Sequence, residues 1–339
     1  MTNEDARSAG AGTALLDVRD LRVEFRTRDG VAKAVNGVSY RVAPGQTLAV
    51  LGESGSGKSV TAQAVMGILD SPPGRVTGGE VVFQGRDLLT LRKDERRKIR
   101  GAKMAMIFQD ALSALNPVLS VGAQLGEMFQ VHEGMSRKDA RGKAVELMER
   151  VGIPAARERV GDYPHQFSGG MRQRIMIAMA LALGPDLIIA DEPTTALDVT
   201  VQAQVMDLLA ELQRELTMGL ILITHDLGVV ADVADTIAVM YAGRIVETAS
   251  VHQLYRAPAH PYTRGLLDSV PRLDRKGRRL YAIQGLPPSL TAIPPGCPFH
   301  PRCPLAQDIC RTDPPPLYDA GPGRASACHF WKETLDGAR

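Results

Sequence analysis

The sequence predicts an α/β fold with a mostly parallel core sheet, and three observations carry that expectation. An apolar run at 47–51 leads into a glycine-rich loop and then a helical pattern over 60–69. From Pro185 onward, short apolar runs alternate with helical periodicity, the pattern of strands joined by crossover helices. Ahead of both, residues 15–42 alternate apolar and polar positions (Leu21, Val23, Phe25; Val35, Val38, Tyr40), as antiparallel strands do. A chain of 339 residues is ample for a substantial core. Forty basic and 38 acidic residues leave a net charge of +2, so charge gives no ground for a nucleic-acid partner.

Taken in order, residues 1–14 are polar, carry Glu4 and Asp5, and lack the basic-then-apolar layout of a secretion signal; a flexible tail is expected. Asp29-Gly30 and Asn36-Gly37 mark tight turns between the strands of an antiparallel β subdomain. After the 60–69 helix, Pro72-Pro73-Gly74 and Gly78-Gly79 punctuate the chain before a strand at 80–83. The charged stretch 92–103 reads as a solvated helix face, and 104–108 as another strand. Helical periodicity over 121–151 predicts an inserted α-helical subdomain at about 110–170. A strand at 187–190, a helix at 201–216 and a strand at 220–224 complete the core. Past Glu247 the prolines crowd (258, 261, 271, 287, 288, 294, 295), which places a boundary near 250 between one unit at 15–250 and a loop-rich appendage at 251–339. The apolar stretches 175–183 and 187–190 fall short of the ~18 to 20 residues that cross a bilayer.

The chemistry starts at Gly52-Glu53-Ser54-Gly55-Ser56-Gly57-Lys58-Ser59, a complete G-x-x-x-x-G-K-S phosphate loop between strand and helix, with Val60 continuing the helix. Its glycines let the backbone curl close to phosphate oxygens, so N–H groups and the positive helix end point at negative charge. Lys58 is placed to reach the β/γ-phosphates of a nucleoside triphosphate, and Ser59 to ligate Mg²⁺. The 187–190 strand runs into Asp191-Glu192, where a parallel sheet presents ligands: Asp191 suits Mg²⁺ and Glu192 the polarisation of attacking water. Ser168-Gly169-Gly170-Met171 opens a second helix, with Ser168 as its cap, and offers a second positive helix end.

With that Ser-Gly-Gly segment, the chain over roughly 15–250 resembles the ATP-binding cassette (ABC) ATPases. The resemblance implies a P-loop ATPase in which Ser168, Gly169, Gly170 and Met171 close on the nucleotide of an opposed subunit, so that ATP joins two subunits head to tail. It further implies that Gln109 senses Mg²⁺ and the γ-phosphate, that Ala196-Leu197-Asp198 lies across the dimer interface, that His225 contacts the γ-phosphate, and that Phe25 stacks on adenine. A soluble cassette acting on DNA or ribosomes is the alternative, but a basic surface and a second cassette are both missing from the sequence. A small-molecule kinase would leave Ser168–Gly170 without a purpose.

The C-terminal stretch, with His260-Pro261-Tyr262-Thr263, Gly285-Leu286-Pro287-Pro288 and Gly296-Cys297-Pro298-Phe299-His300-Pro301-Arg302-Cys303-Pro304, resembles the ATP-binding subunits of oligopeptide and dipeptide importers. Phe167 with Met171 is similar to the D-type subunit. That resemblance implies an ATPase on the cytoplasmic face of the membrane, a distinct F-type ATPase partner, two permease subunits and an extracytoplasmic substrate-binding protein. Nickel, glutathione or oligosaccharide importers share these features, so they stay open as cargo classes. Cys297, Cys303, Cys310 and Cys328, spaced C-x5-C-x6-C-x17-C, suggest a metal centre; four thiolates suit either Zn²⁺ or a [4Fe–4S] cluster. The spacing lacks a C-x2-C zinc knuckle, and the importer resemblance implies the iron–sulfur cluster; a proline-rich segment with little core would use such a centre structurally. His300 and His329 flank cysteines as further candidate ligands.

Overall fold

In the computed structural model, residues 14–195, 197–269 and 283–337 are described; residues 1–13 of the expected N-terminal tail, Ala196 and Pro271 lie outside them. The chain opens with a long hairpin, β1 (Leu16–Thr27) and β2 (Gly30–Val42), joined tightly at Arg28-Asp29. The second turn expected at Asn36-Gly37 is instead an irregularity inside β2. Gly37 takes a φ of 84° beside the register shifts of β1, so the extra residue is absorbed as a bulge. β3 (Thr47–Leu51), wholly buried, leads through the phosphate loop into α1 (Lys58–Met66). β4 (Gly74–Phe83) and β5 (Arg86–Asp87) complete a four-stranded antiparallel sheet of order β2-β1-β4-β5.

After the exposed α2 (Lys93–Ile99) and β6 (Met104–Ile107), the helical insertion comprises α3 (Ala111–Ala114), α4 (Val121–Glu133), α5 (Arg137–Arg150) and α6 (Ala156–Arg159). The single helical pattern read over 121–151 breaks at Gly134, and Ser136 caps α5 by accepting the Asp139 N–H. α7 (Gly169–Leu181) returns to the core, followed by β7 (Leu187–Asp191), α8 (Val199–Leu216), β8 (Gly219–Ile223), α9 (Leu227–Val233), β9 (Thr236–Tyr241) and β10 (Arg244–Ser250). The large sheet has the order β11-β12-β10-β9-β3-β8-β7-β6, with β9-β3-β8-β7-β6 parallel. The α/β class with a mostly parallel core is therefore borne out.

The C-terminal stretch carries α10 (Val251–Arg256), α11 (Pro261–Asp268), α12 (Ile309–Thr312), β11 (Tyr318–Gly321), β12 (Arg324–Ser326) and α13 (Trp331–Asp336) among long loops. Its β11-β12 hairpin extends the core sheet by pairing with β10. Beneath that seam the fully buried Glu247 of β10 takes a salt bridge from Arg324 of β12 at 3.0 Å and the N–H groups of Ala259 and His260 at 2.7 and 2.9 Å. Burial pushes the Glu247 carboxyl above its ordinary range, against the opposing pull of these donors. Among the described residues no helix is long and apolar enough to cross a membrane.

Candidate nucleotide site

The phosphate loop leaves β3 at the C-terminal end of the parallel strands, where loops of such sheets gather ligands. Gly52 and Gly57 hold φ values of 153° and 103°. A Cβ on Gly52 would collide with the carbonyl oxygen of Met240, and one on Gly57 with that of Ala34. Only glycine fits at either position, for both torsional and steric reasons. Gly57 is the N-cap of α1 and supplies no side chain to its N–H groups, so the positive end of this helix opens onto the loop.

An open cavity of about 530 Å³ lies there, lined by Glu53, Ser54, Gly55, Gly57, Lys58, Ser59, Val60, Gln109, Glu192 and His225. Lys58 is buried and donates from Nζ to the carbonyls of Gly52 (2.7 Å) and Glu53 (3.0 Å), folding over its own loop. Burial lowers its pKa, while the negative charges of Glu192, Asp191 and Glu53 act the other way. Ser59 Oγ donates to Asp191 Oδ1 at 3.0 Å, joining the first turn of α1 to the end of β7. Burial raises the Asp191 carboxyl, with the Ser59 hydrogen bond opposing it. A hydroxyl and a carboxylate side by side form an all-oxygen donor set that fits Mg²⁺.

Glu192 follows β7 with a φ of 47°, an uncommon left-handed conformation for a carboxylate residue, while its N–H donates to Ile223 O at 2.8 Å. That turn directs the side chain into the cavity. There it accepts from Gln109 Nε2 (3.0 Å) and Thr195 Oγ1 (2.9 Å), and His225 Nδ1 stands 3.5 Å away. Three segments far apart in sequence, at 109, 192–195 and 225, thus converge on one carboxylate.

The other expected positions lie elsewhere. Ser168 caps α7 by accepting the Met171 N–H at 3.3 Å, and Ser168, Gly169, Gly170 and Met171 do not line the cavity. Asp198 caps α8 through the Val201 N–H at 3.0 Å, also outside it. Phe25 packs partly buried against the core cluster of the antiparallel sheet. Ser56, from the loop itself, keeps a buried hydroxyl without a partner among the described groups. Three residues that sequence reasoning passed over touch the site. Thr195 holds Glu192. Tyr262 accepts the Glu53 N–H at 2.8 Å, and Arg302 pairs with the Glu53 carboxylate at 2.6 and 2.9 Å. Thr195 had a local clue in its three-residue spacing from Glu192, whereas Tyr262 and Arg302 stand in the motifs of the importer resemblance with no signal tying them to the phosphate loop.

The expected iron–sulfur centre, and zinc as its alternative, are corrected. Among the described residues no group of three or more His, Cys, Asp or Glu is arranged to hold a metal ion. Cys297, Cys303, Cys310 and Cys328 do line one pocket, with His300 and His329, but it measures about 10 Å³, the room of about one water. Burial raises the thiols of Cys303, to about 11, Cys328, to about 12, and Cys297, in the same direction. The cysteines pack as small hydrophobic side chains around Phe299 and Phe330.

Comparison with known proteins matches residues 35–195 to the ABC transporter family and residues 246–310 to the oligopeptide/dipeptide transporter C-terminal region. The chain is 52% identical over 314 residues to the oligopeptide transport ATP-binding protein OppD of Salmonella typhimurium, covering 93% of each. It is 54% identical over 296 residues to the dipeptide transport ATP-binding protein DppD of Bacillus subtilis, covering 87% of this chain and 88% of that one. Such relatives are described as ATP-binding proteins, with no iron–sulfur centre in their descriptions. Among solved structures, the dimeric post-hydrolysis state of the ATP-binding cassette MJ0796 bound to ADP and Pi superposes with a TM-score of 0.63 at 26% identity, covering 70% of this chain and 98% of that one.

Proposed function

Because the chain belongs to the ABC transporter family, among the ATP-binding proteins of oligopeptide and dipeptide transport, we propose that it hydrolyses ATP to power peptide import from the cytoplasmic face of a membrane. The observation that carries the reading is the convergence of the phosphate loop, Asp191 and Glu192 on one cavity, with Glu192 held by Gln109 and Thr195 beside His225.

In this reading residues 15–250 form the nucleotide-binding unit, with the helical insertion at about 110–170, and 251–339 the importer-type C-terminal region. The N–H groups at the start of α1 and the Lys58 ammonium receive the β/γ-phosphates, and their charge matches what develops on the transferring phosphoryl. Ser59 and Asp191, with Gln109 near them, are the oxygen ligands for Mg²⁺, which would supply charge neutralisation of the phosphates. Glu192 takes the proton of the attacking water, and its partners Gln109 and Thr195 aim the carboxylate. His225 lies on the same side and donates to the γ-phosphate. Phe25 faces adenine from the antiparallel sheet.

The exposed N-terminus of α7, with Ser168, Gly169, Gly170 and Met171, then serves the site of an opposed subunit, and Asp198 lies at their common face. The similarity to a dimeric cassette supports that arrangement. A distinct F-type ATPase is the proposed second subunit, with two permeases forming the pathway and a substrate-binding protein delivering peptide. Reconstitution of the chain with co-purifying membrane partners tests the reading: ATP-dependent accumulation of peptide in vesicles is expected. Uptake of nickel, glutathione or oligosaccharide in place of peptide would reassign the cargo, and absence of ATP hydrolysis would overturn the proposal.

A further inference from the structure

Glu53 occupies an awkward place for an acid. It follows Gly52 in the phosphate loop and lines the cavity where polyphosphate would gather, so a free carboxylate there repels the ligand. The C-terminal region holds this residue at two points. Arg302 grips the carboxylate with both guanidinium nitrogens, at 2.6 and 2.9 Å, and its side chain is only 5% exposed. Tyr262, fully buried on α11, accepts the Glu53 N–H at 2.8 Å. The remaining polar group of Glu53, its carbonyl, accepts from Lys58.

The holding groups are themselves fixed. Arg302 donates from Nε to Gln284 O at 3.1 Å and lies against Tyr241. The Tyr262 ring packs on Tyr241 and Phe299, with centroids 4.6 and 5.3 Å apart. A planar fork on a carboxylate, anchored in an aromatic cluster, defines position as well as charge.

We propose that Arg302 and Tyr262 are positioning residues of the nucleotide site: the C-terminal region neutralises Glu53 and clamps the phosphate loop in the form that receives a triphosphate. The inference rests on the reading of this loop as an ATP site. It makes the C-terminal region part of the ATPase apparatus, so that movement of the 283–303 segment is transmitted to the phosphates through one ion pair.

The test is calorimetric titration of MgATP into the full chain and its variants. Wild-type protein that binds no MgATP defeats the functional reading and this inference with it; the variants test the inference alone. Arg302→Gln leaves Glu53 uncompensated and is expected to weaken binding on the order of tenfold, the scale of one unpaired charge at an effective dielectric of about 20. Removing that charge in Glu53→Gln/Arg302→Gln is expected to recover most of the loss, which a merely structural role of Arg302 would not produce. Wild-type affinity in Arg302→Gln, or an equal loss in the double variant, overturns the proposal. Should Arg302→Gln fail to fold, Arg302→Lys, which keeps charge but not the fork, and Tyr262→Phe, which removes only the hydroxyl, carry the test. Each is expected to weaken MgATP about threefold, and wild-type affinity in both overturns it.

Discussion

Two helix N-termini in this chain carry glycine-rich entrances and have opposite surroundings. The start of α1 has a glycine cap, no side-chain acceptor of its own, and a cavity walled by residues from four segments. The start of α7 is exposed, capped by its own Ser168, and stands outside that cavity. Equal helix dipoles therefore do different work: one end is enclosed by its own chain, and the other presents its N–H groups outward. The contrast fits the proposed reading, in which the chain holds its own nucleotide at α1 and offers the α7 end to an opposed subunit.

Four variants break or sharpen that contrast. At the enclosed end, Glu192→Gln keeps shape but loses the base, so ATP hydrolysis is expected to drop on the order of 10³-fold while MgATP still binds, measured by phosphate release and calorimetry. Turnover at the wild-type rate would remove Glu192 from its role. At the outward end, Gly169→Asp fits sterically, since its Cβ would meet only Leu197 Cδ2 at 3.8 Å, but sets a negative charge at the helix end. Hydrolysis is expected to fall about 100-fold with MgATP affinity of the separate chain kept within about twofold; loss of that affinity instead would place the α7 end in the same chain's site. Third, Asp191→Asn leaves Ser59 with a neutral neighbour, and half-maximal hydrolysis is expected to need about tenfold more Mg²⁺; an unchanged Mg²⁺ titration would exclude Asp191 as a ligand.

The smallest effect lies away from both ends. His260 is buried and caps α11, accepting the Tyr262 N–H on Nδ1 at 3.0 Å, and burial lowers its pKa from 6.5 to about 3. A depressed folded-state pKa means that the unfolded chain takes up the proton first. The contribution is therefore present above pH 6.5 and is lost as pH falls from there toward about 3. Glu247, with its raised pKa, works in the opposite sense, favouring the fold at the acid end of the carboxylate range. Thermal melts of His260→Asn, which keeps a capping acceptor, are expected to show a shallower acid limb than the wild type; parallel limbs would exclude His260 as the titrating group.

Much of the molecule was legible because it is local. The phosphate loop needs glycines at fixed spacing, α7 and α8 start at side chains able to cap them, and the β3, β7 and β8 runs are apolar because both faces of a central parallel sheet are buried. Asn36-Gly37 forms a bulge where a turn is expected, and Gly134 interrupts a continuous helical pattern, since an Asn-Gly pair serves a bulge as well as a turn and periodicity alone does not reveal an interruption. The cysteine spacing suggested a metal, yet spacing does not report how closely thiols approach or whether they ionise.

What the sequence determined by itself, then, was the α/β class, the central strands and the glycine-rich loop between β3 and α1, because those depend on periodicity and on neighbours a few positions apart. Tertiary structure alone decided the meeting of Ser59 with Asp191, the gathering of Gln109, Thr195 and His225 around Glu192, and the hold of Arg302 and Tyr262 on Glu53. These contacts join segments on different strands and loops, and their geometry follows from strand order and close packing, which no short stretch of chain encodes.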